Sequence, residues 1–439
     1  MQDLLWGFSD ICGSVFLSIN LYVYRTKSMP VFHLFAILLA LAAMCSWLNY
    51  RLIKLPAAIG VMAISLLCSL VLIALGRAGY VDITATRAFV RQFDFQELVL
   101  HGILAFLLFA GGLSLEMAAL KTQRGMIAML SSIGVLIGTC LTGTLFWSLL
   151  SLIGIDIPFV IALLFGAIVS PTDAVAILGI LRKVGVPKSL EVKLVGESLF
   201  NDGIGVVVFF AIASLAYGAG MTVSEVGTTL ALEVVGGSAL GAALGWAGYR
   251  ALRAIDDHVV EILITLALAG GGYALAEVVH VSAPICVVVA GLITGNQGYT
   301  YAMSQNTQEH LDIFWELIDE LLNVMLFVLM GLEIITLELS GSYWLACSIA
   351  VFVVLMSRTC GVASIVSVSS RFRTFSPHAV KILTWGGLRG GISVALALSL
   401  PESEYRSLIV LCTYAVVLFS VLVQGITLPM LLRYAKRNV

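Results

Sequence analysis

The sequence predicts an all-α, polytopic membrane protein, and three observations carry that prediction. Apolar residues make up 60% of the 439 and charged residues 11%, with a mean hydropathy of +1.04; soluble domains carry about 25% charged residues. Fourteen apolar segments follow one another, most of them close to the roughly 20 residues that cross a bilayer as a helix. Two of these segments are interrupted near their middles, at corresponding places in the two halves of the chain.

The segments run near 4–24, 31–50, 55–76, 98–120, 125–152, 158–182, 195–218, 226–252, 258–279, 282–296, 311–338, 342–370, 378–400 and 407–433. The first is read as an uncleaved helix rather than a signal peptide. Asp3 stands where a basic region belongs, Asp10 interrupts the apolar run, and no small-residue cleavage pattern follows. Segment 282–296 is short for a span. The longest connection, about 77–97, carries charges of both signs and has room for a short interfacial helix. The expected organisation is 13–14 transmembrane helices in four parts. These are an N-terminal helix in 1–30, a first six-helix repeat in 31–218, a linking helix in 219–257, and a second repeat in 258–439.

Pro171, in Ile168-Val169-Ser170-Pro171-Thr172-Asp173-Ala174, sits in mid-membrane, where it removes a backbone donor and clashes with the preceding turn. Segment 378–400 is weakened by Gly386, Gly387, Gly390 and Gly391 around Leu388 and Arg389. Unwound backbone at membrane depth is tolerated only where protein or a water-filled cavity surrounds it. Counting from the second span and setting 226–252 aside, each break falls in the fifth segment of its group of six. That placement is the mark of inverted repeats with a substrate site where the broken helices cross.

Lys and Arg in the connections set the orientation. One alternate set of loops, with the tail, carries sixteen of them and the other set carries six. The richer set includes the loop 183–194 and the C-terminus, which are therefore expected in the cytoplasm. A net charge of −2 offers no field for nucleic acid. The eight cysteines lie singly in apolar segments without a CxxC and read as small core hydrophobes.

The chemistry concentrates in Gly196-Glu197-Ser198-Leu199-Phe200-Asn201-Asp202-Gly203. Each ionisable group at membrane depth costs at least about 2.5–3.5 kcal/mol on insertion scales, so two within six residues imply a function. Residues four apart share a helix face, which puts Ser198 over Asp202 and Glu197 over Asn201. A hard cation stripped of water needs oxygen ligands, and Asp202, Ser198 and Thr172 at the opened helix supply that type. Burial disfavours a bare carboxylate, so either a proton or a cation must neutralise Asp202. Competition of the two for one site is an exchange mechanism in itself. Asp173 opens the half-helix that follows the break, where a negative charge complements exposed N–H groups; direct ligation of the cation is the other reading. Arg389 is placed to balance carbonyl ends at the crossing.

Four stretches resemble the sodium/proton exchangers of the first cation-proton antiporter family, in its bacterial NhaP-like branch. They are Leu108-Phe109-Ala110-Gly111-Gly112-Leu113-Ser114-Leu115, Ser170-Pro171-Thr172-Asp173-Ala174-Val175-Ala176, Gly196 to Asp202, and Gly386-Gly387-Leu388-Arg389-Gly390-Gly391-Ile392-Ser393. The resemblance covers about 50 to 433. It implies a core domain with two crossing broken helices, a separate dimerisation domain to which the linking helix 219–257 belongs, and a homodimer in a bacterial inner membrane. It implies exchange of Na+ or Li+ against H+, with Asp202 as the ion carboxylate and Glu197 paired with Arg358. Relatives that move net charge have a second aspartate where this chain has Asn201; an amide carries no second proton, so the resemblance implies electroneutral exchange. The family usually has thirteen spans, so the segment 4–24 looks like an addition.

No cofactor is expected beyond the transported ions, and the partners are monovalent cations, protons and membrane lipid. With no HExxH, nucleophile elbow or P-loop, a membrane enzyme or ATP-driven pump is disfavoured. The six histidines and the acids Glu116, Glu233, Glu261, Glu277, Glu316, Asp319, Glu320 and Glu333 are scattered and read as interfacial or cavity-lining. Ligand type alone does not set ion size, so a K+/H+ antiporter on the same scaffold stays open, as does a cation channel.

Overall fold

In a bilayer the backbone must satisfy its own hydrogen bonds, and the chain does so with helices. The computed structural model describes residues 31–184, 188–218, 223–301, 303–337, 343–370 and 378–437, and among them no strand occurs. The expected first helix, 4–24, lies outside the described residues. The helices are α1 (Val31–Leu48), α2 (Ala57–Arg77), α3 (Ile83–Val90), α4 (Leu104–Ser114), α5 (Met117–Ala128), α6 (Gly134–Leu152), α7 (Phe159–Ile168), α8 (Ala174–Val184) and α9 (Lys188–Tyr217). They continue as α10 (Val223–Leu252), α11 (His258–Val278), α12 (Ala283–Tyr301), α13 (Gln305–Glu333), α14 (Trp344–Ser369), α15 (Ala379–Trp385), α16 (Gly391–Leu398), α17 (Arg406–Leu418) and α18 (Gly425–Arg437). Wider π turns at Met129–Ile133 and Phe419–Gln424 join α5 to α6 and α17 to α18.

Among the described residues nine helical stretches are long and apolar enough to cross a membrane. They match nine of the expected segments. The interrupted segments 158–182 and 378–400 are the pairs α7/α8 and α15/α16, and 282–296 and 311–338 are α12 and α13. The charged connection holds α3, whose N-terminus is capped by Asp82: its Oδ1 accepts from the Thr84 and Ala85 amides at 2.9 and 3.3 Å.

One expected boundary is corrected. Segment 98–120 does not run to its end as helix; α4 stops at Ser114, and Leu115 and Glu116 both turn to ψ 118°. The cause is a side chain from elsewhere in the fold. Asn296 of α12 accepts from the Met117 amide at 2.5 Å and donates to the Leu115 carbonyl at 2.9 Å, giving both kinked peptides a partner.

The chain forms two compact units, residues 1–95 with 324–338, and residues 96–323 with 339–439. In the first, the Asn49 side chain bonds the Leu55 peptide on both sides, at 3.1 and 3.3 Å, and fixes the turn from α1 into α2. Ser65 of α2 donates to the Phe327 carbonyl at 3.3 Å, and Arg87 of α3 donates to the Ile335 carbonyl at 2.9 Å. In the second, helices approach through small residues, the packing mode available where lipid removes the hydrophobic drive. Gly291 of α12 lies against the Phe109 carbonyl of α4, and Gly166 of α7 against the Thr139 carbonyl of α6, so close that a Cβ on either would overlap it. Phe146 and Phe165 stack beside that contact at 4.2 Å. This second unit contains both broken helices.

Candidate functional site

The first break opens because Pro171 cannot donate and α7 ends at Ile168; residues 170–173 are non-helical until α8 starts at Ala174. Asp173 caps the new helix, its Oδ1 accepting from the Ala176 amide at 3.0 Å. The second break separates α15 from α16 over 386–390. The two breaks touch. The Asp173 amide donates to the Leu388 carbonyl at 2.7 Å, and Gly390 lies so close to the Asp173 carboxylate that a Cβ would overlap it.

Arg389 ties the crossing from the other side. Its Nη1 donates to the Ser170 carbonyl and, at 2.9 Å, to the Pro171 carbonyl. Those are carbonyls that a continuous helix would have satisfied itself, so the guanidinium supplies what the break removed. The Arg389 amide donates to Ser420 Oγ at 2.8 Å. Arg389 is 6% exposed.

Across from the first break, α9 presents its polar run. Asn201 grips Thr172 at two points: its Oδ1 accepts from the Thr172 amide at 3.0 Å, and its Nδ2 donates to Thr172 Oγ1 at 2.7 Å. Thr172 Oγ1 in turn lies 2.8 Å from Ser198 Oγ. Thr172, Ser198 and Asn201 are each 1% exposed. Asp202 follows, 4% exposed, with its Oδ1 buried and without a hydrogen-bond partner. It sits in the repulsive field of Asp173 and the attractive field of Arg389.

Glu197 turns to a different neighbour. Its Oε1 is 2.5 Å from Arg358 Nη1 of α14, and Arg358 Nη2 donates to the Leu383 carbonyl of α15 at 3.1 Å. Gly387 makes room for this arginine, since a Cβ there would come to 2.7 Å from its Nε. The ion pair therefore links α9 and α14 to the start of the second break. A small cleft lies alongside, lined by Ser170, Asn201, Ser357, Arg358 and Arg389 among others.

The fold thus gathers all eight candidate residues at one crossing. Thr172, Ser198 and Asn201 form one hydrogen-bonded cluster, Asp202 is beside it, Asp173 and Arg389 pin the two breaks, and Glu197 with Arg358 braces them. Asn201 holds the opened backbone in place. Chemically, the arrangement offers a carboxylate and two hydroxyl oxygens to a small cation or a proton. Among the described residues no group of three or more His, Cys, Asp or Glu is placed to hold a metal ion. Of the scattered groups, His101 bridges Glu97 and Glu277 at 3.1 and 3.2 Å, and Glu261 is buried at the start of α11. Ser420 takes part in the crossing without any motif that announces it.

Comparison with known proteins agrees with this architecture. The family described as sodium/hydrogen exchanger, transmembrane, matches residues 34–434. The Na(+)/H(+) antiporter NhaP of Pseudomonas aeruginosa is 45% identical over 406 residues, covering 91% of this chain and 96% of that protein. The Na(+)/H(+) antiporter NhaH of Halobacillus dabanensis is 35% identical, covering 77% and 83%. The solved structure of the sodium proton antiporter MjNhaP1 from Methanocaldococcus jannaschii at pH 8 superposes with a TM-score of 0.72 at 19% identity, over 92% of this chain and 97% of that one, a likeness of fold. With two broken helices crossing beside a buried carboxylate and a family match along nearly the whole length, the chain belongs to the sodium/hydrogen exchanger family.

Proposed function

We propose that this protein is an electroneutral antiporter that exchanges one Na+ or Li+ for one H+ across a bacterial inner membrane. The observation that carries the reading is Asp202, a buried carboxylate with an unpartnered oxygen beside the Thr172 and Ser198 hydroxyls at the helix crossing. A carboxylate at this depth must be neutralised by one cation or one proton, and each leaves only when the other can replace it. Alternating access follows as the movement that exposes the loaded site to either side, and because both loaded forms carry the same charge, neither crosses with an electrical penalty. Asn201 supports the one-for-one ratio, because its amide carries no proton and is occupied in holding Thr172.

In this reading residues 31–218 and 258–439 are the inverted repeats, 219–257 links them, two copies form a dimer in the lipid, and the C-terminus is cytoplasmic. The relatives named as Na(+)/H(+) antiporters support the choice of ions. Proton flux in proteoliposomes with Na+, Li+ and K+ offered in turn tests it. Na+ and Li+ gradients are expected to drive protons the opposite way, and K+ is not. Equal flux with K+ would make the protein a K+/H+ antiporter, and a salt-dependent current without proton flux would make it a channel.

A further inference from the structure

Polar side chains on the faces of these helices mostly bond to their own helix. Ser148, Ser364 and Thr427 each donate to the carbonyl four residues back, at 2.8, 2.7 and 2.6 Å. Ser420 differs in both direction and reach. Its Oγ accepts from the main-chain amide of Arg389, 31 residues away, at 2.8 Å, and the serine is 1% exposed. The bond joins the rod α17–α18 to the middle of the second break.

Ser420 lies in the π turn Phe419–Gln424, the wide turn at which the helical register shifts. Such turns concentrate at functional sites because they re-aim side chains. The same rod meets the beginning of the break as well. Thr427 Oγ1 accepts from Trp385 Nε1 at 2.8 Å, and Gln424 Nε2 reaches the Trp385 carbonyl at 3.5 Å. The break is therefore anchored to α17–α18 at two points, Trp385 and Arg389. At the second point the contact is made by the Arg389 N–H alone. Without Ser420 that donor would be buried with no partner, and the peptide would turn to find one. Any turn of the peptide carries the guanidinium with it, off the Ser170 and Pro171 carbonyls.

We propose that Ser420 is a positioning residue of the ion site, fixing the backbone of Arg389 so that its guanidinium stays on the Ser170 and Pro171 carbonyls of the first break. The inference rests on the exchange reading above. It deepens that reading by naming a residue that holds the first break in place beside the ion ligands. With Arg389 held, the Ser170 and Pro171 carbonyls keep their partner and Thr172 keeps its place. With Arg389 loosened, the opened backbone shifts and Na+ binds less tightly.

The test uses the full-length protein in proteoliposomes and three substitutions: Ser420→Ala, Ser420→Cys, which keeps the size but accepts poorly, and Ser420→Thr, which keeps the acceptor. Ala and Cys are expected to raise the apparent KM for Na+ about threefold, the order expected for one lost hydrogen bond. The maximal rate should stay within about twofold of the parent, and Thr should follow the parent in KM. If Ser420→Cys and Ser420→Ala keep the parent KM, or if Ser420→Thr behaves as they do, the proposal is overturned. A fall in melting temperature with no change in KM also overturns it, since packing alone would do that. Should Ser420→Ala fail to fold, Ser420→Cys decides. Absence of Na+-driven proton flux in the parent protein would instead refute the exchange reading, and the two failures are told apart by that control.

Discussion

The two broken helices hold equivalent places in the chain and are opened by opposite means. The first is opened by Pro171, and its stranded backbone is satisfied by side chains brought from outside: Asn201 for the Thr172 amide, Arg389 for the Ser170 and Pro171 carbonyls. The second is opened by glycines, and what it receives is mostly backbone or a short hydroxyl: the Asp173 amide on Leu388, Ser420 on the Arg389 amide. Glycine is needed there because the other break lies against it, as Gly390 does against Asp173. The first break therefore turns the Thr172 hydroxyl toward Ser198 of α9, while the second contributes the guanidinium that satisfies the Ser170 and Pro171 carbonyls.

The comparison can be broken most forcefully at the brace. Arg358→Ala leaves Glu197 buried and alone, a loss of about 3–5 kcal/mol, so yield and melting temperature should fall steeply. Adding Glu197→Gln should return part of that stability. If the two single losses simply add in the double variant, the pair is not coupled and does not brace the crossing.

Next in size is the close approach at the second break. Gly390→Ala places a methyl on the Asp173 carboxylate, and overpacking of this kind costs about 1–3 kcal/mol. Calorimetry in detergent should show the loss, together with reduced exchange. A variant as stable and active as the parent would mean that the breaks do not need to touch here.

A comparable loss is expected from removing one oxygen at the first break. Thr172→Val keeps the shape but leaves Asn201 Nδ2 without its acceptor, a cost of about 1–3 kcal/mol. The apparent KM for Na+ should rise by more than the maximal rate falls. An unchanged KM would remove Thr172 from the ion site and leave it only a structural part.

How far the sequence reveals this site follows the same division. Both breaks are legible, because proline in one and four glycines in the other are backbone signals that need no partner to interpret. The polar run on α9 is legible for the same reason, as charge in hydrocarbon. Partners that come from backbone or from lone hydroxyls are not. Ser420 lies in an apolar stretch whose composition is that of any span, and the glycines around Leu388 do not say which amide its carbonyl will meet. The kink after Ser114 is invisible from its own residues, since Asn296 imposes it from α12. Nor does local pattern reveal that residues 324–338 group with the first 95, a pairing made by contacts such as Ser65 with Phe327, 262 residues apart.

The smallest expected effect is none at all. With one proton exchanged for one Na+, a voltage imposed by K+ and valinomycin should leave the exchange equilibrium where it was. Two protons per Na+ would shift the balance by about 2.3 kcal/mol per 100 mV. A voltage-dependent endpoint would direct the search for a second proton carrier to Asp173 and Glu197, one in each part of the crossing.

The central claim is that one buried carboxylate serves both ions, and it is tested most directly by Na+-driven proton flux through Asp202→Asn in proteoliposomes, with the parent melting temperature as the control for folding. Asparagine keeps the shape and removes the charge for which the ions compete, so flux should fall below about a tenth of the parent, a loss of at least about 1.4 kcal/mol in transition-state stabilisation. A folded Asp202→Asn protein that still exchanges Na+ for H+ above that level would contradict the account.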